Sequence, residues 1–216
     1  MSWDERQGRV SRAFNDWLMI DRDQRAFLAF GLRAASQAYD RVWDEAAHEP
    51  GDPDGPELVD VFDDRVNGLW PHDYEWMYLA AVVRDAVTNF EVYLEKAIEE
   101  VLAAHDAAFA SSPWWRDLKK LFAMLDVGID TREVRRIRRL RHFLTHQRGE
   151  LRTEKQRKTF APRSEGLPPI LVELTDESTV EVLDQLGHAV RSFDPAVWQH
   201  TFGGDRLVEL QIVDPA

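Results

Sequence analysis

The stretch Leu79-Ala-Ala-Val-Val-Arg-Asp-Ala-Val-Thr-Asn-Phe-Glu-Val-Tyr-Leu-Glu-Lys-Ala-Ile-Glu-Glu-Val101 decides the fold class. Leu79, Val82, Val83, Ala86, Phe90, Tyr93, Leu94, Ala97, Ile98 and Val101 recur in steps of three and four residues. That spacing puts them on one face of an α-helix, whereas a half-buried strand would alternate every second residue. Arg84, Thr88, Glu91 and Glu95 run along a separate polar stripe. The pattern predicts a helix over residues 73–105.

Towards the C-terminus, Ser111 or Ser112 can cap a second helix, with Pro113 at its first position, that runs to Leu125 and ends before Gly128. Asp130 or Thr131 can cap a third, in which Val134, Ile137, Leu140 and Leu144 form the apolar face, ending by Gly149. Arg152 to Arg163 is polar and basic and is read as a loop or loose hairpin. Three prolines and a glycine between Ala161 and Pro169 break regular structure. Ile170 to Leu174 suits a short extended segment. Thr175 or Ser178 then caps a last helix carrying Val180, Leu183, Leu186, Ala189, Val190 and Phe193. Leu207 to Val213 alternates as a terminal strand or ordered tail would. Towards the N-terminus, residues 11–48 read as helix, with room for a break near Ile20–Asp23. The run Pro50-Gly-Asp-Pro-Asp-Gly-Pro56 is a loop, and residues 57–68 are ambiguous. The sum is an all-α bundle of four to five main helices, with an N-terminal helical extension over residues 1–70 and a short C-terminal tail over 196–216.

Composition narrows the chemistry. Of 216 residues, 44% are hydrophobic, including eight Trp and eleven Phe, which is enough for a core. No cysteine is present, so disulfides, thiolate metal sites and cysteine nucleophiles are excluded. The longest apolar run, Trp76 to Val83, is far shorter than the ~20 residues needed to cross a bilayer. The start of the chain, Met1-Ser-Trp-Asp-Glu-Arg, is charged with no apolar stretch behind it, so a cytoplasmic protein away from the membrane is expected. Neither a Gly-x-x-x-x-Gly-Lys loop nor a Gly-x-Gly-x-x-Gly or Gly-x-Ser-x-Gly motif occurs, which argues against ATPase, dinucleotide-dependent and serine-hydrolase chemistry.

The charge is uneven. The chain carries −12 overall, yet between Arg132 and Arg163 twelve basic residues face three acidic ones. That segment is +9 and the remainder −21. Such a segment can hold phosphates, or can dock on acidic surface of the same chain or of a partner.

Within it lies Arg138-Arg-Leu-Arg-His-Phe-Leu-Thr-His-Gln-Arg-Gly149. Arg141-His142-Phe143-Leu144-Thr145-His146 has the form Arg, polar, three residues, His, and it resembles the signature of the HEPN superfamily of helical domains, which includes many metal-independent ribonucleases. Asn89-Phe-Glu-Val-Tyr-Leu94 on the earlier helix is similar to the hydrophobic-Glu-x-x-Leu run of several HEPN families, and a final helix follows a polar loop as it does there. The resemblance covers residues 73–193 and implies a HEPN-like bundle over 71–195. It implies that Arg141, His146 and His142 are catalytic. Arg141 would clamp phosphate, His146 would act as base or acid, and His142 would be a polar support or the second acid–base group. Arg138, Arg148 and Arg135 would bind substrate, with Glu91 in support. Histidine titrates near neutrality and arginine offers a fixed fork of donors, so both suit attack of a ribose 2′-hydroxyl on the adjacent phosphate. The products would be a 2′,3′-cyclic phosphate and a 5′-hydroxyl, with RNA cut, DNA spared, and neither metal nor other cofactor needed. The resemblance further implies a toxin or antiviral defence effector with an antitoxin or regulatory partner. Where HEPN toxins paired with a nucleotidyltransferase carry a modified Tyr two positions after the motif His, this chain has Arg148.

Geometry constrains that reading. Five residues turn about 140° on an ideal helix, so Arg141 and His146 diverge. Either the helix distorts near Thr145 or two chains complete the site; the HEPN resemblance implies the second, a homodimer with a composite cleft. The competing readings are structural. Arg141 can pack its stem on the core edge and His146 can cap the helix dipole, leaving a non-catalytic helical dimer that binds protein or nucleic acid. A metal on His142 and His146 would lack a third ligand in the sequence pattern. Trp114 and Trp115 cannot both be buried on one helix face, so one of them is expected at an interface.

Overall fold

The computed structural model describes residues 9–48, 57–109, 111–160 and 171–203. Among them the chain is all-α, with helices α1 (Arg12–Ala47), α2 (Leu58–Arg65), α3 (Pro71–Ala104), α4 (Trp115–Met124), α5 (Arg132–His146), α6 (Glu154–Phe160) and α7 (Asp176–Phe202). The only extended pairing among the described residues is an isolated antiparallel bridge between Glu150 and Leu171.

Helix α3 is the central element. Pro71 supplies a preset φ at its first turn and Asp73 complements its dipole. The residues that predicted it are its buried face, and Leu79, Val83, Phe90, Leu94 and Ala97 are fully enclosed. Phe90 meets Phe193 of α7, and Phe193 meets Phe122 of α4, with centroids 6.4 and 6.2 Å apart. Each of these buried rings contributes about 2–3 kcal/mol.

Helix α1 runs antiparallel to α3 and is continuous through Ile20–Asp23. Cross-links along its length fix the register: the Arg12 and Ala13 amides donate to Glu100, Lys96 pairs with Asp16 at 2.8 Å, and Gln24 donates to Asp85 at 2.8 Å. Asp21 is tolerated in the helix interior because Arg25 pairs with it at 2.9 Å and with Asp184 of α7 at 2.7 Å. Ala13, Phe14, Trp17 and Leu28 join the same core as α3 and α7. At Gly31 a Cβ would meet the Tyr78 hydroxyl, whose close approach lets it donate to the Phe27 carbonyl. Residues 57–68 resolve into α2, whose buried Phe62 sits among Tyr39, Trp43 and Trp70.

Three other boundaries differ from expectation. Neither Ser111 nor Ser112 caps α4, which begins at Trp115 with the Trp114 amide donating to Asp117 at 3.3 Å. The basic segment read as a loop contains α6, nucleated by reciprocal bonds between Thr153 and Gln156 and anchored by buried Phe160. Helix α7, capped by Thr175 as anticipated, continues through Pro195 to Phe202, because burial of Val197 and Phe193 offsets the hydrogen bond that proline forfeits. The tail therefore begins no earlier than Gly203. Leu207–Val213, Ala161–Pro169 and the Pro50–Pro56 loop lie outside the described residues. No described helix is long and apolar enough to cross a membrane.

Candidate active site

Helix α5 carries the motif. The Thr131 hydroxyl caps it by accepting from the Val134 amide at 3.2 Å. Hydrogen bonding to its own amide and to Thr131 holds the Glu133 carboxyl in the first turn below the usual carboxylate range. Val134, Ile137 and Leu144 are buried against α3 and α7, which leaves the arginines and histidines facing outward.

The helix is unbroken through Thr145, and the Gln147 amide still reaches Phe143 O at 3.0 Å. The distortion that could have turned Arg141 and His146 towards one point is absent from this chain. Arg135, Arg139, His142 and His146 instead share a sector of about 60°, and all four are exposed. The rings of His142 and His146 lie 4.8 Å apart, centroid to centroid, at 47°. Arg141 is half-buried on the other side of this row.

A shallow groove of about 470 Å³ runs beside α5, lined by Glu91, Arg135, Arg138, Arg139, Arg141, His142 and Phe143. Its cations fall into two groups. Arg138 donates from Nε to Glu91 at 2.9 Å, and its guanidinium lies 3.6 Å from the centroid of the Trp115 ring. Arg135 donates to the Asp130 carbonyl at 3.0 Å and lies 3.6 Å from the Asp130 carboxylate. Arg139 and Arg141 have neither an ion pair nor a hydrogen bond among the described residues. Of the arginines assigned to substrate, Arg138 and Arg135 are thus held by the protein itself. Arg139, which lies outside the sequence-predicted set, has no such partner among the described residues. Its position three residues before His142 and seven before His146 was the available signal.

The end of α5 is fixed by close packing. Arg148 and Gly149 both take left-handed conformations, with φ of 49° and 75°. The Gly149 amide returns to Phe143 O at 3.0 Å, and a Cβ on Gly149 would lie 2.5 Å from the Trp76 ring. Trp76 in turn donates from Nε1 to Val172 O at 2.8 Å. This turn carries Arg148 away from the groove, which neither Arg148 nor His146 lines. The structure therefore brings together Arg141, His142, Arg138, Arg135 and Glu91, pairs His142 with His146, and leaves Arg148 apart. Among the described residues no group of three or more His, Asp or Glu could hold a metal ion.

Comparison of the chain with protein-family models, with curated proteins and with solved structures finds no match.

Proposed function

We propose that the protein is a metal-independent endoribonuclease of HEPN type, acting as a homodimer. The observation that carries the reading is the disposition of the motif on α5. Arg141, without an ion pair or hydrogen bond among the described residues, lines a groove, and His146 is exposed one turn beyond exposed His142. In this reading a two-fold axis near the α5 surface brings Arg141 of one chain towards His146 of its partner. A histidine removes the 2′-hydroxyl proton, the new O–P bond closes a 2′,3′-cyclic phosphate, and an acid returns a proton to the departing 5′-oxygen. Arg141 and Arg139 neutralise the charge that builds on the phosphorane. A role as toxin or antiviral effector, with an inhibitory protein partner, follows from the HEPN resemblance alone.

The test is cleavage of a mixed tRNA and mRNA pool in EDTA. Wild type should cut and leave cyclic-phosphate ends, His146→Ala should not, and DNA should survive. The second reading is a non-catalytic helical dimer that binds protein or nucleic acid. It is favoured by the internal pairing of Arg135 and Arg138 and by the divergence of Arg141 from His146 within one chain. Equal failure of wild type and variant to cut RNA would select it.

A further inference from the structure

The outward side of α1 carries an uncovered stripe. Asp23, Phe27, Phe30, Ala34, Gln37 and Arg41 follow one another in alternating steps of four and three residues. At about 100° per residue they share a sector about 80° wide, on the side away from buried Leu28 and Ala46. All six are exposed, and Phe27 and Phe30 are 58% and 68% accessible. Phe27 is set in place by Tyr78 of α3, whose ring centroid lies 5.0 Å away and whose hydroxyl donates to Phe27 O. Helix α3 thus braces the stripe from one side without covering it.

Alternation by four and three is the spacing of a seam between two packed helices. The chemistry along this seam complements itself. When two copies of α1 run antiparallel about a two-fold axis level with Leu32, Asp23 meets the second copy's Arg41, Phe27 meets its Gln37 and Phe30 meets its Ala34. A large ring then opposes a small side chain at the centre, and opposite charges close both ends. Among the described residues Asp23 pairs only with its neighbour Arg22, at 3.0 Å, and Arg41 has neither an ion pair nor a hydrogen bond. Arg33 lies about 80° off the seam, where its length carries the charge into water. A foreign helix would require none of this symmetry. We propose that the outward stripe of α1 is a self-association surface, on which a second copy of the chain packs its own α1 antiparallel. None of the six residues lines the groove beside α5, so this contact is separate from the composite site and does not rest on the ribonuclease reading. Two distinct two-fold contacts on each chain would join more than two chains.

Sedimentation equilibrium of the full-length chain over a wide concentration range tests the proposal. Arg41→Asp sets like charges against each other at both ends of the pairing and should weaken one association step about tenfold, and Asp23→Arg should do the same. Carrying both changes in one chain restores opposite charges in reversed order and should bring the affinity back to within about threefold of wild type. Phe30→Ser should weaken the same step with the charges intact. The loss is read either as dimer to monomer or as a larger assembly falling to a dimer held elsewhere. Thermal melts confirm that each variant is folded, as substitution at exposed positions leads one to expect. A wild-type chain that stays monomeric, single variants that associate like wild type, or a charge-swapped chain as weak as the single variants would each overturn the proposal. RNA cleavage by the same proteins is scored separately. Cleavage with an association indifferent to every α1 change sinks this surface and keeps the nuclease. A charge-reversible association without cleavage keeps the surface and sinks the nuclease.

Discussion

The Arg138 guanidinium lies 3.6 Å from the centre of the Trp115 ring while its Nε holds Glu91 at 2.9 Å, so one side chain ties α5 to both α4 and α3. Arg138 and Glu91 are each about a quarter exposed, which tempers the ion pair but leaves the stacked geometry intact. Arg138→Ala should lower stability by about 1–2 kcal/mol. Arg138→Lys should recover less than half of that, because an ammonium cannot stack flat and donate sideways at once. Denaturant midpoints measure both. A full recovery by lysine would show that charge alone matters at this position.

Gly149 is pinned twice, by its left-handed backbone and by the Trp76 ring where a Cβ would sit. Gly149→Ala should cost about 2–3 kcal/mol, of which the backbone share is about 1 kcal/mol. Trp76→Phe shortens the ring and should relieve the steric share, so the double variant should be more stable than the sum of the single changes implies. Thermal melts of the four proteins close the cycle. Strict additivity would mean that the Trp76 contact plays no part.

Much of the helical frame can be read from local pattern. The apolar steps from Leu79 to Val101 give α3 and its buried face directly, and Thr131 and Thr175 mark two helix starts. Helix α6 was obscured by its charge. The Thr153–Gln156 capping pair was present in the sequence, but the helix depends on Phe160 reaching Phe143, 5.1 Å away centroid to centroid, and no local pattern reveals that contact. The run beyond Pro195 was hidden for the same reason, since burial of Val197 outweighs an unfavourable local residue. At the site, the divergence of Arg141 from His146 follows from helical geometry alone. The commitment of Arg138 to Glu91 and Trp115 does not, because those partners are 47 and 23 positions away in the chain.

Asp194 is buried in α7, where it accepts from the Ser11 amide at 3.2 Å and from the Ser11 hydroxyl. Burial raises its pKa above the ordinary carboxylate value, the Ser11 bonds pull it down by less, and Glu100 and the enclosed Tyr93 face it from α3. The folded state therefore holds this proton more tightly than the unfolded chain. The stabilisation from protonating Asp194 is complete below the unfolded carboxylate pKa and is lost as pH rises through the higher folded value. The stability of wild type minus that of Asp194→Asn should fall with rising pH across that interval and level off above it. Asp194→Ala should cost about 1–3 kcal/mol at every pH by leaving the Ser11 donors without an acceptor. Urea titrations over the acidic range test this, and a difference that rises with pH would reverse the assignment.

The divergence of Arg141 and His146 along an unbroken α5 gives the proposed composite site a stoichiometric signature. If Arg141 of one chain works with His146 of its partner, Arg141→Ala and His146→Ala homodimers are each inactive. A mixed dimer keeps one site with both residues intact and one with neither. After equal mixing and subunit exchange, half of the dimers are mixed and each has one working site of two, so activity should return to about a quarter of wild type. Both variants should keep wild-type melting temperatures, since Arg141 is unpartnered among the described residues and His146 is exposed. A site built within one chain predicts no recovery on mixing, because every chain in the mixture then lacks one of the two groups. Recovery near a quarter, with cyclic-phosphate ends in EDTA, would place the reaction at the junction of two α5 helices. Continued inactivity, with subunit exchange verified by a tagged chain, would exclude the composite arrangement.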